Sequence, residues 1–202
     1  MTCPSKNVIS FYQQHAEEWD INRGRHLFEK QWLERFTQNL PAGGSILDLG
    51  CGSGEPIAKH FIDQGYNVTG VDSSEPLLDL CRSRFPTQHW TLSDMRELNL
   101  EAKFDGIIAW NSFFHLNHAD QEHMFSIFKK HSKLGASLMF TAGPSHGEAI
   151  NPLFGTPLYH ASFTYEEYNA FLTNHGFEIV SYKLEDEDCQ GHSIYCAQRN
   201  AL

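Results

Sequence analysis

Apolar residues recur along residues 5–40 at helical spacing: Val8, Phe11, Tyr12 and Trp19, then Leu27, Trp32, Leu33 and Phe36. The pattern is interrupted at residues 22–24 and closes at residues 41–44, where Pro and Gly gather, so it predicts two leading helices. Beyond that point the chain changes character. Short apolar runs at residues 45–49, 68–71, 89–92, 106–110 and 137–141 predict buried strands, and the stretches 55–64, 75–85 and 119–133 between them predict helices. Parallel strands need a crossover, usually a helix, and a strand covered on both faces reads as an unbroken apolar run. The alternation therefore predicts a doubly wound α/β fold with helices on both faces of a mostly parallel sheet. Ser74 before Glu75 and Pro76 predicts a helix start whose free amides the serine hydroxyl satisfies. Residues 144–161 have no clear period. Residues 164–175 return to helical spacing, with Thr164 and Glu167 placed as a capping box. Residues 177–184 and 192–198 then predict two strands joined by an acidic, Gly-containing turn, an antiparallel pair at one end of the sheet.

The 202 residues are 41% hydrophobic, with 15 Phe, 7 Tyr and 4 Trp, enough apolar material for one core of ordinary size. With 15 Lys and Arg against 25 Asp and Glu the formal net charge is −10, and no basic run is present that could neutralise a phosphate backbone. Nucleic acid is therefore a poor candidate partner, whereas a cationic ligand is mildly favoured. Five cysteines, odd in number and without a C-x-x-C, in a chain with no secretory leader, lead to the expectation of a reducing cytoplasm. No apolar run approaches the roughly 18 residues needed to span a bilayer.

The segment Ile46-Leu47-Asp48-Leu49-Gly50-Cys51-Gly52-Ser53-Gly54 carries the most chemistry: a buried strand running into a glycine-rich turn and then a helix. Glycines allow positive φ and close approach of a ligand to the main chain, and a helix start offers unpaired amides. Ligands of open α/β sheets gather outside the carboxyl ends of the strands, where this turn falls. A dinucleotide fingerprint needs G-x-G-x-x-G, but here the third glycine comes one place early. Asp48, two places before the first glycine, suits an ammonium or sulfonium better than a pyrophosphate. The next strand ends in Asp72, twenty residues after Gly52, where a carboxylate can accept from both ribose hydroxyls, a feature shared with NAD enzymes.

Across residues 44–143 the sequence resembles the class I methyltransferases, whose motif runs D/E-x-G-x-G-x-G, then an acidic end to the second strand and an Asp after the third. The resemblance implies seven strands with the last antiparallel, and S-adenosylmethionine as cofactor, leaving as S-adenosylhomocysteine. By it, Gly50, Cys51 and Gly52 face the methionine part with Asp48 nearby, and Asp72 holds the ribose. Ser93-Asp94-Met95 matches the adenine position, with Asp94 accepting from the exocyclic amine and Met95 or Ser73 flanking the ring, while Asn111 and Ser112 line the methionyl end. Phe11-Tyr12-x-x-His15-Ala16-x-x-Trp19-Asp20-x-x-Arg23 is similar to the N-terminal lid of small bacterial members, in which a Tyr and an Arg, here Tyr12 and Arg23, approach the cofactor carboxylate or the pocket mouth. The same apolar residues also suit a helix that merely packs.

One domain over residues 1–202 is expected, with 1–44 as a helical lid, 45–143 as the cofactor-binding core and 144–202 as an acceptor-side insertion and terminal hairpin. Methyl transfer is an in-line displacement that depends on positioning and exclusion of water. An oxygen or nitrogen acceptor also calls for a general base, and the candidates are His160 first, then Tyr159 and His115, with His146 as a further histidine of the same region. The histidine spacing at 115, 118 and 123 lacks the H-E-x-x-H pair, so no metal is expected. The function expected is methyl transfer to a small-molecule acceptor. Two alternatives stand beside it: a same-fold enzyme that uses the cofactor or a dinucleotide for other chemistry, and a non-catalytic cofactor-binding protein. The oligomeric state and the identity of the acceptor are not legible.

Overall fold

The structure is a computed structural model and describes residues 7–200. Cys3 and the predicted helix start at Ser5 lie outside them. The leading segment forms three helices rather than two: α1 (Asn7–Gln14), α2 (Ala16–Arg23) and α3 (Lys30–Thr37). The extra break is a kink at His15, across which the backbone bonds His15 N to Phe11 O and Trp19 N to His15 O persist at 2.9 and 2.8 Å. Apolar spacing carries straight through such a kink, which is why it does not reveal one.

The remaining elements are β1 (Ser45–Leu49), α4 (Ile57–Asp63), β2 (Asn67–Asp72), α5 (Glu75–Arg84), β3 (His89–Leu92), β4 (Phe104–Ala109), α6 (His118–His131), β5 (Ser132–Ala142), β6 (Gly147–Leu153), β7 (Thr156–Ser162), α7 (Tyr165–Asn174), β8 (Phe177–Asp186) and β9 (His192–Arg199). Seven strands make one sheet in the order β3-β2-β1-β4-β5-β9-β8. The first five are parallel, and β9 lies between β5 and β8, antiparallel to both. This is the predicted doubly wound sheet with its antiparallel last strand.

Alternation along the central strands divides the core in two. Leu47, Ile107 and Leu138 face α6 and α7, packing with Phe125, Phe128 and Tyr168, whereas Ile46, Ile108 and Met139 face α3 and α4, packing with Leu33, Phe36 and Phe61. Successive strand residues point to opposite faces, so a strand that serves both layers needs apolar residues at neighbouring positions, as Ile46 and Leu47 or Ile107 and Ile108 provide. Each fully buried Leu or Phe contributes about 1.5–3 kcal/mol. Thr164 caps α7 as expected: its hydroxyl accepts from Glu167 N, and the Glu167 carboxylate accepts from Thr164 N at 2.8 Å.

The stretch without clear period, residues 144–161, contains β6 and most of β7, which pair only with each other as a second, two-stranded sheet. Residues 148–152 of β6 are all exposed. No buried face imposes alternation there, hence the silent pattern. The hairpin turn carries Phe154, which stacks on Phe11 of α1 at 6.0 Å and thereby joins hairpin to lid.

Candidate active site

The glycine-rich turn is pinned to the end of β2: Gly50 N and Cys51 N both donate to Val71 O, at 2.7 and 3.1 Å. Gly50 has φ +73° and Gly52 φ +56°, and both are crowded by parts of the chain far away in sequence. A Cβ on Gly50 would lie 2.3 Å from Ser112 Cβ, and one on Gly52 would lie 2.6 Å from the Trp19 ring. Ser112 is itself fixed, its hydroxyl donating to Leu49 O at 2.6 Å. The loop after β4 and the lid helix α2 thus close on the turn from two sides. Gly50→Ala combines left-handed strain of about 1–2 kcal/mol with that clash. A loss of roughly 3 kcal/mol or more in denaturant unfolding is expected. An unchanged unfolding midpoint would show that the loop after β4 yields freely.

Two carboxylates flank the turn. Asp72 Oδ2 accepts from Gly52 N and Oδ1 from Ser74 N, each at 2.9 Å, leaving further lone pairs on both oxygens. Burial raises its pKa against the pull of those amides. Asp48 is only 3% exposed, and burial together with the Asp72 charge pushes its pKa up to about 7. The Cys51 thiol is pushed well above its ordinary range by burial and by Cys81, so it is held protonated. Ser74 does not cap α5 as predicted: its hydroxyl donates to Tyr12 O at 3.1 Å, tying lid to core, while Asp72 serves the Ser74 amide.

Asp94 lies just after β3, in an ion pair with Arg96 that also accepts from the Arg96 amide at 3.0 Å. Arg96 reaches on to Asp120 at 2.9 Å, and against the upward pull of burial it holds the Asp94 carboxyl below its usual range. Part of its acceptor capacity is therefore already engaged. Asn111 has φ +53°, and its amide donates to Thr141 Oγ1 at 2.8 Å, which turns this residue inward at the end of β4.

The lid covers the turn and is held by charge and by aromatic contact. Arg84 of α5 grips Asp20 of α2 at 2.9 and 2.7 Å, Arg25 adds a bond to Asp20 at 2.9 Å, and Arg25 also pairs with Glu55 at 2.9 Å. Arg23 is paired with the fully buried Glu29 and lies over the Phe28 ring at 4.9 Å. Tyr12 Oη lies 3.1 Å from His115 Nε2, and His115 Nδ1 lies 2.9 Å from Tyr159 O. A carbonyl only accepts, so the proton of neutral His115 sits on Nδ1, and Tyr12 donates its own to Nε2. Burial brings the His115 pKa down to about 4. Both ring nitrogens are engaged within the protein. His115 is therefore a support for Tyr12 rather than the base the sequence suggested.

These elements enclose a cavity of about 570 Å³. All twelve residues that the sequence nominated for the cofactor line it: Tyr12, Arg23, Asp48, Gly50, Cys51, Gly52, Asp72, Ser73, Asp94, Met95, Asn111 and Ser112. Of the nominated bases, His115 and His160 line it and Tyr159 does not. On β7 the period of two sends Leu158 and His160 to the cavity and turns Tyr159 to the opposite face, where it is 3% exposed and contributes its carbonyl to His115. His146 lies outside, 3.0 Å from Glu167. Sequence reasoning missed Phe114 and His192, which also line the cavity, and the hairpin residues Leu153 and Phe154. Among the described residues no group of three or more His, Cys, Asp or Glu is arranged to hold a metal ion, and no helix is long and apolar enough to cross a membrane.

Residues 46–135 match the methyltransferase domain family. The provisionally named methyltransferase YqeM of Bacillus subtilis is 34% identical over 101 residues, covering 48% of this chain and 40% of that protein. The ubiquinone biosynthesis O-methyltransferase of Coxiella burnetii is 29% identical over 149 residues, covering 67% and 61%. The chain thus spans less than two thirds of the length of these curated relatives. Among solved structures, the Burkholderia thailandensis 1,6-didemethyltoxoflavin-N1-methyltransferase superposes with a TM-score of 0.78 at 17% identity, over 100% of this chain and 92% of that one. The domain match falls on the glycine turn and its flanking strands, and with this sheet order the chain has the class I methyltransferase fold.

Proposed function

We propose that this protein transfers the methyl group of S-adenosylmethionine to a small molecule. The observation that carries the reading is the pairing, around one cavity, of a tightly packed glycine turn with two carboxylates, the buried Asp48 and the half-buried Asp72. The residues fit the cofactor chemically. Asp72, held by two backbone amides, keeps acceptor positions for the ribose hydroxyls. Asp48 provides negative charge for the ammonium or sulfonium, Met95 and Ser73 flank the adenine, and Asn111 and Ser112 line the methionyl end. Asp94 accepts from the adenine amine with the capacity that Arg96 leaves. Bound adenosylmethionine supplies an activated methyl on sulfur. The chain's part is to hold it, exclude water under the lid and hairpin, and accept a proton from the acceptor.

His160 suits that last role. Its Nδ1 lies 3.1 Å from Leu158 O and so carries the proton, which leaves a lone pair on Nε2. Burial lowers its pKa, favouring the neutral base. The relatives support a small acceptor: the Burkholderia structure holds 1,6-didemethyltoxoflavin with S-adenosylhomocysteine. A net charge of −10 counts against nucleic acid, and four free thiols among the described residues suit a reducing cytoplasm. Calorimetric titration with adenosylmethionine, adenosylhomocysteine and NAD tests the reading. Saturable one-to-one binding of the first two without NAD is expected. Binding of NAD alone would overturn it.

A further inference from the structure

The face of the cavity beyond the cofactor residues is a continuous wall of rings. Trp19, against Gly52, meets Tyr12 edge-on at 6.0 Å, and Tyr12 meets His115 at 5.8 Å. His115 then lies 4.7 Å from His160, and Phe114 lies 5.1 Å from His160 at 31° and 5.9 Å from His192 at 26°. At the far end the wall is therefore three neighbouring rings, Phe114 and the imidazoles of His160 and His192, contributed by the loop after β4, by β7 and by β9. The lid and hairpin add apolar side chains to the same lining: Val8, Leu153, Phe154 and Leu158.

Charge narrows the ligand further. Among the described residues lining the cavity the arginines are Arg23 and Arg96, and both are consumed in ion pairs, with Glu29 and with Asp94 and Asp120. Four carboxylates line the same space: Asp94 and Glu55, which are paired with arginines, and Asp48 and Asp72, which are not. A carboxylate or phosphate on the acceptor would find no unengaged guanidinium and would meet like charge, which costs affinity whenever water is excluded. A flat ring, by contrast, gains offset stacking on Phe114 and His192, worth roughly 0.5–1.5 kcal/mol beyond its buried area.

Resting on the methyl-transfer reading, we propose that the acceptor is a flat, uncharged ring bearing an O–H or N–H, stacked against Phe114 and His192 with that proton directed at His160 Nε2. In the transfer the acceptor O–H or N–H bond breaks as its proton passes to Nε2. The freed lone pair forms the bond to the methyl carbon, and the carbon–sulfur bond breaks with its electron pair left on sulfur. Nothing is oxidised or reduced. His192 and Phe114 determine specificity, and His160 alone moves a proton.

The test uses the full chain saturated with adenosylhomocysteine, whose own binding is measured first. If that titration fails, the methyl-transfer reading fails with it. Given that binding, three probes are compared by calorimetry: 2-naphthol, naphthalene-2-carboxylate and decahydro-2-naphthol. Naphthol is expected to bind at least about tenfold more tightly than either of the others, the first comparison reading charge and the second flatness. His192→Leu is expected to weaken naphthol by roughly fivefold while leaving adenosylhomocysteine affinity within about twofold. The proposal is overturned if the carboxylate binds as well as naphthol, if the saturated alcohol does, or if none of the three binds the loaded protein.

Discussion

Asp72→Asn is expected to bind adenosylmethionine at least about a hundredfold more weakly than the parent protein. A hydrogen bond to a charged group contributes about 1.5–3 kcal/mol, and a ribose presents two hydroxyls to this carboxylate, so the loss amounts to about 3 kcal/mol or more. The structure adds a second cause. Each Asp72 oxygen already accepts a backbone amide, from Gly52 on one side and Ser74 on the other. An asparagine must point its NH2 at one of those N–H groups, donor against donor, which loosens either the glycine turn or the start of α5. Calorimetry reads the affinity and thermal unfolding reads the fold. A cooperative transition lowered by a few degrees, with binding nearly abolished, is the expected pair of results. Parental affinity in this variant sinks the ribose assignment.

Cofactor affinity of the parent protein is expected to rise with pH and to level off above about 7. Burial and the neighbouring Asp72 charge place the Asp48 pKa at about 7 in the free protein, so at lower pH this carboxyl is neutral. A bound cation favours the ionised form and drives its pKa back down. Binding then expels a proton wherever Asp48 was protonated, and affinity grows up to about tenfold per pH unit below the free-state value. Between about pH 5.5 and 7.5 the gain is roughly 25-fold if the bound-state pKa falls below that window. Stability of the free protein moves the opposite way. A carboxyl whose folded pKa is raised contributes stability that is fully present below its ordinary value near 4 and is lost as pH rises through about 7. Titrations in buffers of different ionisation enthalpy measure the expelled proton. A flat affinity profile across this window would remove Asp48 from the cation's surroundings, and Asp48→Asn should flatten it.

The sheet was legible because its interior strands are largely buried on both faces, which writes short apolar runs, without strict alternation, into β1, β2 and β4. The wall proposed for the cofactor was legible for a related reason. Gly50, Gly52 and Asp72 must meet backbone and ligand at fixed offsets from a strand end, so their order and spacing carry the geometry. What stayed hidden depended on partners distant in sequence. The link that occupies His115 comes from Tyr12, 103 residues away, and nothing near residue 115 announces it. Arg96 is adjacent to Asp94, but its second carboxylate, Asp120, is 24 residues on. The choice between Tyr159 and His160 needed the strand phase of β7, and the exposed partner strand β6 removed the alternation that would have supplied it. His192 was visible as the first residue of the last predicted strand, but only the insertion of β9 beside β5 brings it against Phe114.

That insertion also fixes an order of assembly. The strand β8 precedes β9 in the chain, yet within the main sheet it bonds only to β9, and β5 is an outer edge until β9 fills the gap. A chain emerging from the ribosome can build the five parallel strands and dock their helices, but β8 then waits with nothing to bond to in that sheet. Its own register is set by the hairpin with β9, which runs from Asp186↔His192 at the turn to Phe177↔Arg199. The Phe114, His160 and His192 wall is therefore among the last parts of the molecule to form, completed by the same strand that closes the sheet.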